Sequence, residues 1–255
     1  MRAGGSPCES AEMASIGTNA LRRPPSGRVR RTAAGVGVAV PFLYFGTQLA
    51  VGLGTPGYSF ARQAASELGA DDAPHAAWFN LGAVLTGVAA LIAAAVVGSA
   101  AVQAGSRRVL TGLTALAVAS VGWGALAAGM FPLPDHRHGG GPAAVGAFVL
   151  PALTAVLLWP RSEQDSGQRQ LSGLRWYLVV NLIAFAGAAT LSSGATGMDL
   201  DSWHGAVQRL LAITLFVPIA VLALAAGTRR DDAGHVRASG LNSQPSPPGT
   251  DPTRG

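Results

Sequence analysis

The run AAWFNLGAVLTGVAALIAAAVVGSAA, residues Ala76–Ala101, decides how the rest of the chain is read. It is 26 residues long and carries no charge. Lipid offers backbone N–H and C=O groups no partner, and a helix of about 20 mainly apolar residues satisfies them internally while crossing the bilayer. Working outward from it, five further stretches meet the same standard: 33–53, 109–131, 142–160, 176–193 and 206–227. The expectation is an all-α polytopic membrane bundle of six transmembrane helices.

The charge pattern agrees. Only 12% of the 255 residues are charged and 49% are apolar, about half the charged fraction of an average soluble domain. All 18 basic residues are Arg. The segment before the first run, the second and fourth connections and the final segment hold 6, 2, 3 and 4 of them, whereas the other connections hold only Arg62, Arg137 and Arg209. Basic residues collect on the cytoplasmic side of a membrane, so this distribution predicts a multi-pass protein of the plasma membrane with both termini cytoplasmic. The same clustering beside apolar runs explains the basic balance without nucleic acid, which is not expected as a partner. Membrane lipid is, and the oligomeric state is left open.

The chain divides into a disordered cytoplasmic tail over 1–31, a membrane domain over 32–228 and a second disordered tail over 229–255. The tails are rich in Arg, Pro, Ser and Gly without apolar periodicity. The start is Met1 or Met13. The Arg30-Arg31 pair before an apolar run resembles a leader, but the run is long enough to cross and five more follow, so an uncleaved first helix is expected. The single Cys8 leaves no intrachain disulfide.

Trp78 and Trp203 fall at outward helix ends, and Trp159, Trp176 and Tyr177 at inward ends, where amphipathic rings sit at headgroup level. Trp123 lies inside the third run and is read as packing. Glycines recur within the runs, among them Gly37, Gly82, Gly87, Gly122 and Gly146, and allow close helix approach. Pro41, Pro151 and Pro218 are sites where a helix can kink. Intramembrane polar residues such as Thr86, Asn181 and Thr190 are expected to hydrogen-bond across helices. No carboxylate lies deep in any run, which argues against a proton-coupled pump.

Ionisable chemistry gathers on the outward connections. Residues 54–75 place Tyr58, Ala61, Ala65 and Leu68 at helical spacing before Gly69, which predicts a short interfacial helix turning Arg62, Ser66 and Glu67 toward water or neighbouring loops. Asp71, Asp72 and Pro74 suit the start of the second helix as caps. The second outward loop, Gly129 to Gly141, reads GMFPLPDHRHGGG, and the third carries Asp199, Asp201, Trp203 and His204, with Gln208 and Arg209 just beyond. Imidazole and carboxylate serve both as metal ligands and as general acids and bases. Asp135, His136 and His138 are therefore the metal candidates, although His-x-His on a glycine-rich loop does not specify zinc by spacing. No phosphate-binding loop, dinucleotide fingerprint, redox Cys pair or haem motif is present, so no cofactor is expected.

Ser59, the tetrapeptide Ser66-Glu67-Leu68-Gly69 followed by Pro74 and Asn80, the Gly129-x-Phe131-Pro132 turn, His138-Gly139 and Gln208-Arg209 resemble the domain of unknown function 998 family. The resemblance covers residues 33–227. It implies six spans and supplies no reaction.

Three functional readings follow. The first is a site for a small-molecule or lipid ligand at the outward end of the bundle, formed by Ser59, Ser66, Glu67, Asp135, His138, His204 and Arg209; it requires Glu67, Asp135, His138 and Arg209 to lie together. The second is a membrane-embedded hydrolase of an amphiphilic substrate, with Asp135, His136 or His138 holding a metal or acting as base and Ser59 or Ser66 assisting. The third is a small transporter component, although no similarity between the two halves suggests an inverted repeat. No reaction is assigned from sequence, and a purely structural role is compatible with it.

Overall fold

A computed structural model describes residues 27–101, 105–159, 168–194, 197 and 200–228. The greater part of both expected tails, together with Met13, Cys8 and Asp199, lies outside the described residues. Six α-helices follow one another: α1 (Gly27–Leu53), α2 (Ala76–Ala101), α3 (Arg108–Met130), α4 (Gly146–Leu158), α5 (Gln168–Ser192) and α6 (His204–Thr228). No strand occurs among the described residues. The chain is an integral membrane protein whose helices form a bundle.

The helices alternate in direction. Gly227, near the end of α6, faces Ala34 near the start of α1, and Arg107, just before α3, donates from Nη1 to the Leu157 carbonyl at the end of α4 at 2.9 Å. At the opposite end, the α1–α2 connection meets both the start of α6 and the α3–α4 loop, through Ala65 to Gln208 and Asp71 to Leu133. This second end, which carries a five-residue 3₁₀ turn at Ala65–Gly69, is called the turn end below.

Five helices are long and apolar enough to cross a membrane, and α4 is not. Its 13 residues span about 20 Å at 1.5 Å per residue, short of a hydrocarbon core about 30 Å thick. The expectation of a regular helix over 142–160 is corrected accordingly. Its cause is local: Gly139, Gly140 and Gly141 take φ of 78°, 79° and 52°, in a region that costs L-residues a steric clash with Cβ and costs glycine nothing. The chain therefore enters as 3₁₀ turns over His138–Val145 packed along α3. Gly140 lies against Trp123 and Gly124, and the Gly146 N–H donates to Ser120 Oγ at 2.9 Å. Trp123 and Ser120 sit about two and three turns inside α3 from Met130. One side of this irregular segment is packed on α3, while Gly141 and Val145 are exposed on the other.

The α2–α3 pair shares the most extensive interface. A Cβ on Gly87 would stand 2.6 Å from the Leu126 nitrogen and 2.7 Å from the Gly122 carbonyl oxygen, so these backbones touch only because no side chain intervenes. Small side chains also fill the centre, where Ala90, Ala93 and Ala223 are buried with Val40, Val118, Leu150 and Ile219. Pro41, Pro151 and Pro218 lie within α1, α4 and α6.

The intramembrane threonines behave differently from expectation, whereas Asn181 bonds across helices as expected. Thr86, Thr114, Thr154 and Thr190 each donate to the carbonyl one turn earlier in their own helix, because a threonine hydroxyl reaches its own backbone without any partner helix. Cross-helix bonds come instead from Asn181 Nδ2 to the Thr214 carbonyl at 3.3 Å and from Gly146 to Ser120. Trp78 and Trp176 are about 70% exposed at opposite ends of the bundle, as headgroup-level anchors should be.

Candidate functional site

Residues 54–75 form a tied loop in which the expected short helix is the 3₁₀ helix at Ala65–Gly69 and does not extend over 58–68. Gln63 N–H donates to the Ser59 carbonyl at 2.8 Å, and Ser59 N–H donates back to Gln63 Oε1 at 2.8 Å. The Gln63 side chain satisfies a donor that a first helical turn leaves without a partner, and the helical spacing of 58–68 is realised as this single turn followed by the 3₁₀ turn at Ala65–Gly69. The expected apolar positions are nevertheless inward: Ala65 and Leu68 are buried with Val51 and Phe79, and Tyr58 packs on them. Glu67 closes the 3₁₀ turn by accepting the Ala64 N–H on Oε1 at 2.7 Å and the Gln63 amide on Oε2 at 3.1 Å. Asn80, on α2, donates to the Gly69 carbonyl at 3.0 Å. Asp71 and Asp72 do not cap α2, whose first turn contains no acid.

Gln208 and Arg209 fasten this loop to α6. Gln208 Oε1 accepts the Ala65 N–H at 2.7 Å. Arg209 Nη1 donates to the carbonyls of Phe60, Gln63 and Gly205 at 2.7, 3.0 and 2.9 Å, and Nη2 donates to the Tyr58 hydroxyl. Its guanidinium carbon also lies 5.0 Å from the Phe60 ring centroid, within cation–π range. Three carbonyls and a phenol thus hold a cation near the membrane surface. Tyr58 donates in turn to the Ala64 carbonyl at 3.0 Å; burial pushes its hydroxyl above the ordinary phenol range, and Arg209 pulls the other way.

Outside this network the loop walls a cavity of about 350 Å³, lined on its polar side by Thr55, Tyr58, Gln63, Glu67 and Asp72 and on its apolar side by Leu68 and Pro74 among others. Tyr58, Gln63 and Glu67 are the side chains the hydrogen bonds just described hold in place. Ser59 and Ser66 are not among the lining residues; Ser59 Oγ accepts the Arg62 N–H at 3.4 Å.

The Asp135, Arg137 and His138 side chains bond within the second loop, whose Leu133 carbonyl accepts the Asp71 N–H of the first at 3.3 Å. Asp135 accepts from Arg137 in a forked pair, 2.6 Å to Nη2 and 3.1 Å to Nε, and also takes the Arg137 N–H at 2.8 Å. Those bonds hold its carboxyl well below the usual carboxylate range. His136 Nδ1 lies 3.6 Å from Asp135. His138 Nδ1 is 2.9 Å from the Phe131 carbonyl, and because a carbonyl only accepts, Nδ1 carries the proton. Asp135 and His138 therefore bond within 131–138, while Glu67 and Arg209 are linked through Tyr58 and the 60–65 backbone. No three His, Cys, Asp or Glu side chains converge as a metal would require among the described residues. His204, exposed at the start of α6, lines a separate cavity of about 330 Å³ with Ser192, Asp201 and Gln208.

Sequence reading named Tyr58 for its apolar spacing alone and did not name Gln63. A tyrosine and a glutamine five residues apart in a short loop are locally able to close it, but only the tertiary position of Arg209 shows that they do.

A family model described as protein of unknown function, DUF998, matches residues 20–225. The chain belongs to the DUF998 family. No curated protein and no solved structure matches it. The DUF998 match runs from before α1 into α6 and so covers α1 to α5 and most of α6. In this DUF998 protein, Ser59, Glu67, Gly69, Asn80, Gln208 and Arg209, scattered over 150 positions of sequence, take part in the loop's own bonds or in the bonds that fasten it to α2 and α6.

Proposed function

We propose that this DUF998 member is a plasma-membrane protein with cytoplasmic termini whose turn end faces outward and binds a polar ligand in the Tyr58–Glu67–Asp72 cavity. The observation that carries this reading is preorganisation: a surface cavity of about 350 Å³ whose polar wall is already fixed by bonds to Arg209, Ala64 and Ser59. A fixed wall binds without the entropic cost of ordering itself. Its acceptors outnumber its donors, because the carboxylates of Glu67 and Asp72 are the lining groups that carry charge at neutral pH and the Tyr58 hydroxyl is already spent on the Ala64 carbonyl, so a ligand bearing N–H or O–H donors fits best. No specific observation favours the hydrolase or transporter readings, and the metal-dependent version would require His138 to leave the Phe131 carbonyl or to bind through Nε2 alone.

The test is a thermal-shift screen of the full chain in nanodiscs with small amines, polyols and carboxylic acids, run beside Ala73→Trp, which fills the cavity from its lining. Donor-rich compounds should raise the unfolding temperature of the wild type and leave that of Ala73→Trp unchanged. Equal shifts in both proteins, or no shift with any compound, would overturn the reading.

A further inference from the structure

The polar cavity has an apolar neighbour. A groove of about 460 Å³ is lined by Thr47, Ala50, Val51 and Gly54 of α1 and its end, and by His75 and Trp78 at the start of α2. The two concavities meet at the same two crossings of the chain: Gly54 lines the groove and Thr55 the cavity, Pro74 the cavity and His75 the groove. Gly54 and His75 stand side by side at this junction, with a Cβ built on Gly54 standing 3.7 Å from the imidazole.

From this juxtaposition, and resting on the ligand reading above, we infer that the ligand is an amphiphile with a cationic, amine-type head. Charge settles the head: two carboxylates, Glu67 and Asp72, and no basic residue line the cavity. Glu67 has its oxygens engaged by an N–H and an amide, which supply dipoles and no compensating cation, and Asp72 is exposed. An ammonium group provides both the charge and the donors that wall lacks. Polarity settles the tail. Apart from Thr47 and the His75 imidazole, the groove is hydrocarbon and indole, and it follows α1 from Gly54 toward Thr47, two turns into the bundle. A bound molecule would place its head at the turn end and its tail along the helices, the orientation of a lipid in the surrounding leaflet. Entry from the membrane plane is open, since Ala50 and Trp78 are exposed.

The experiment uses the full chain in phosphatidylcholine nanodiscs and three probes. The first is a dodecylamine with a diazirine near its methyl end. The second is the N-acetyl form of the same probe, whose head is neutral. The third is n-butylamine, a head without a tail. After illumination, mass spectrometry of peptides maps the labelled residues. The charged long probe should label 47–54 and 75–78 saturably, at least tenfold more than the N-acetyl probe. Glu67→Gln combined with Asp72→Asn should abolish that preference, and Ala50→Trp, which fills the groove, should cut the labelling at least fivefold. Should the double variant fail to fold, Asp72→Asn alone carries the charge test, because its side chain makes no bond on which the turn depends. Equal labelling by the charged and neutral probes overturns the cationic head, and labelling indifferent to Ala50→Trp overturns the tail site. If n-butylamine still raises the unfolding temperature of the wild type and not of Ala73→Trp while the long probe fails to label the groove, the amphiphile inference falls and the cavity reading stands. If n-butylamine also gives no shift that depends on Ala73, both fall.

Discussion

Tyr58 and Arg209 are successive members of one hydrogen-bonded chain: the guanidinium of α6 donates to the phenol oxygen, and the phenol donates onward to the Ala64 carbonyl. The two residues are 151 positions apart in sequence. Their bond joins the α1–α2 loop to the last helix, so the position of the cavity wall is set by α6 and not by the loop alone.

Replacing Arg209 by Met removes four bonds at once and leaves the Phe60 carbonyl without its side-chain donor. Bonds to a charged group contribute about 1.5 to 3 kcal/mol each, and members of one network do not add. A loss of about 3 kcal/mol in unfolding free energy is expected, read by denaturation in detergent. Arg209→Lys should recover less than half of it, since one ammonium cannot fork to three carbonyls and a phenol. Full recovery with Lys would show that charge alone matters there.

Tyr58 gives a dependence on pH. Its hydroxyl titrates above the ordinary phenol range of 10.0 because burial disfavours the phenolate. A group whose folded pKa is raised contributes stability that is fully present below its unfolded value and is lost as pH rises through the folded one. The wild type should therefore lose stability above pH 10 relative to Tyr58→Phe. Phenolate absorbance, taken as the difference between these two proteins, should begin to rise only above pH 10. In Arg209→Met the same absorbance should shift to still higher pH, because Arg209 is what holds the value down.

The helices were legible because their cause is local and repeated: each of 76–101 and 109–131 is an uninterrupted apolar run, and the helices found there begin and end within one residue of those limits. The 142–160 run is as apolar, yet the positive φ of Gly139–Gly141 leads into 3₁₀ turns and its helix begins only at Gly146, which hydropathy does not register. The site was half legible. Glu67 and Arg209 were named and do belong to one network, but the helical spacing of 58–68 concealed a loop closed by the Gln63 side chain. Asp135 and His138 share a loop with Arg137 and Phe131 and bond to those near neighbours.

Close approach of α2 and α3 gives a pair of contrasting substitutions. Gly87→Val would force its Cβ into Gly122 and Leu126 backbone atoms, and backbone cannot give way as a flexible side chain can. Overpacking of this kind costs about 1 to 3 kcal/mol, and reduced monodispersity in size-exclusion chromatography should accompany it. Gly112, on the same helix α3, has nothing within 4 Å of a built Cβ. Gly112→Ala should raise stability by about 0.5 to 1 kcal/mol through the lower backbone entropy of alanine. A similar response to both changes would mean that α2 and α3 are not in backbone contact at Gly87.

Gly140 reports on the irregular entry to α4. Its φ of 79° and the position of Trp123 Cδ1, 2.9 Å from a built Cβ, impose two separate costs on any side chain: a left-handed backbone, about 1 to 2 kcal/mol for an L-residue, and displacement of the indole. Gly140→Ala should therefore destabilise by about 2 kcal/mol or more and change the emission of Trp123, identified by its loss in Trp123→Phe. Gly139 has the same backbone, φ 78°, with open space around it. Gly139→Ala should show the first cost without the second, leaving the indole emission unmoved. Were both variants to shift Trp123 equally, the 138–145 turns would not be packed along α3 as described, and the short length of α4 would need another explanation.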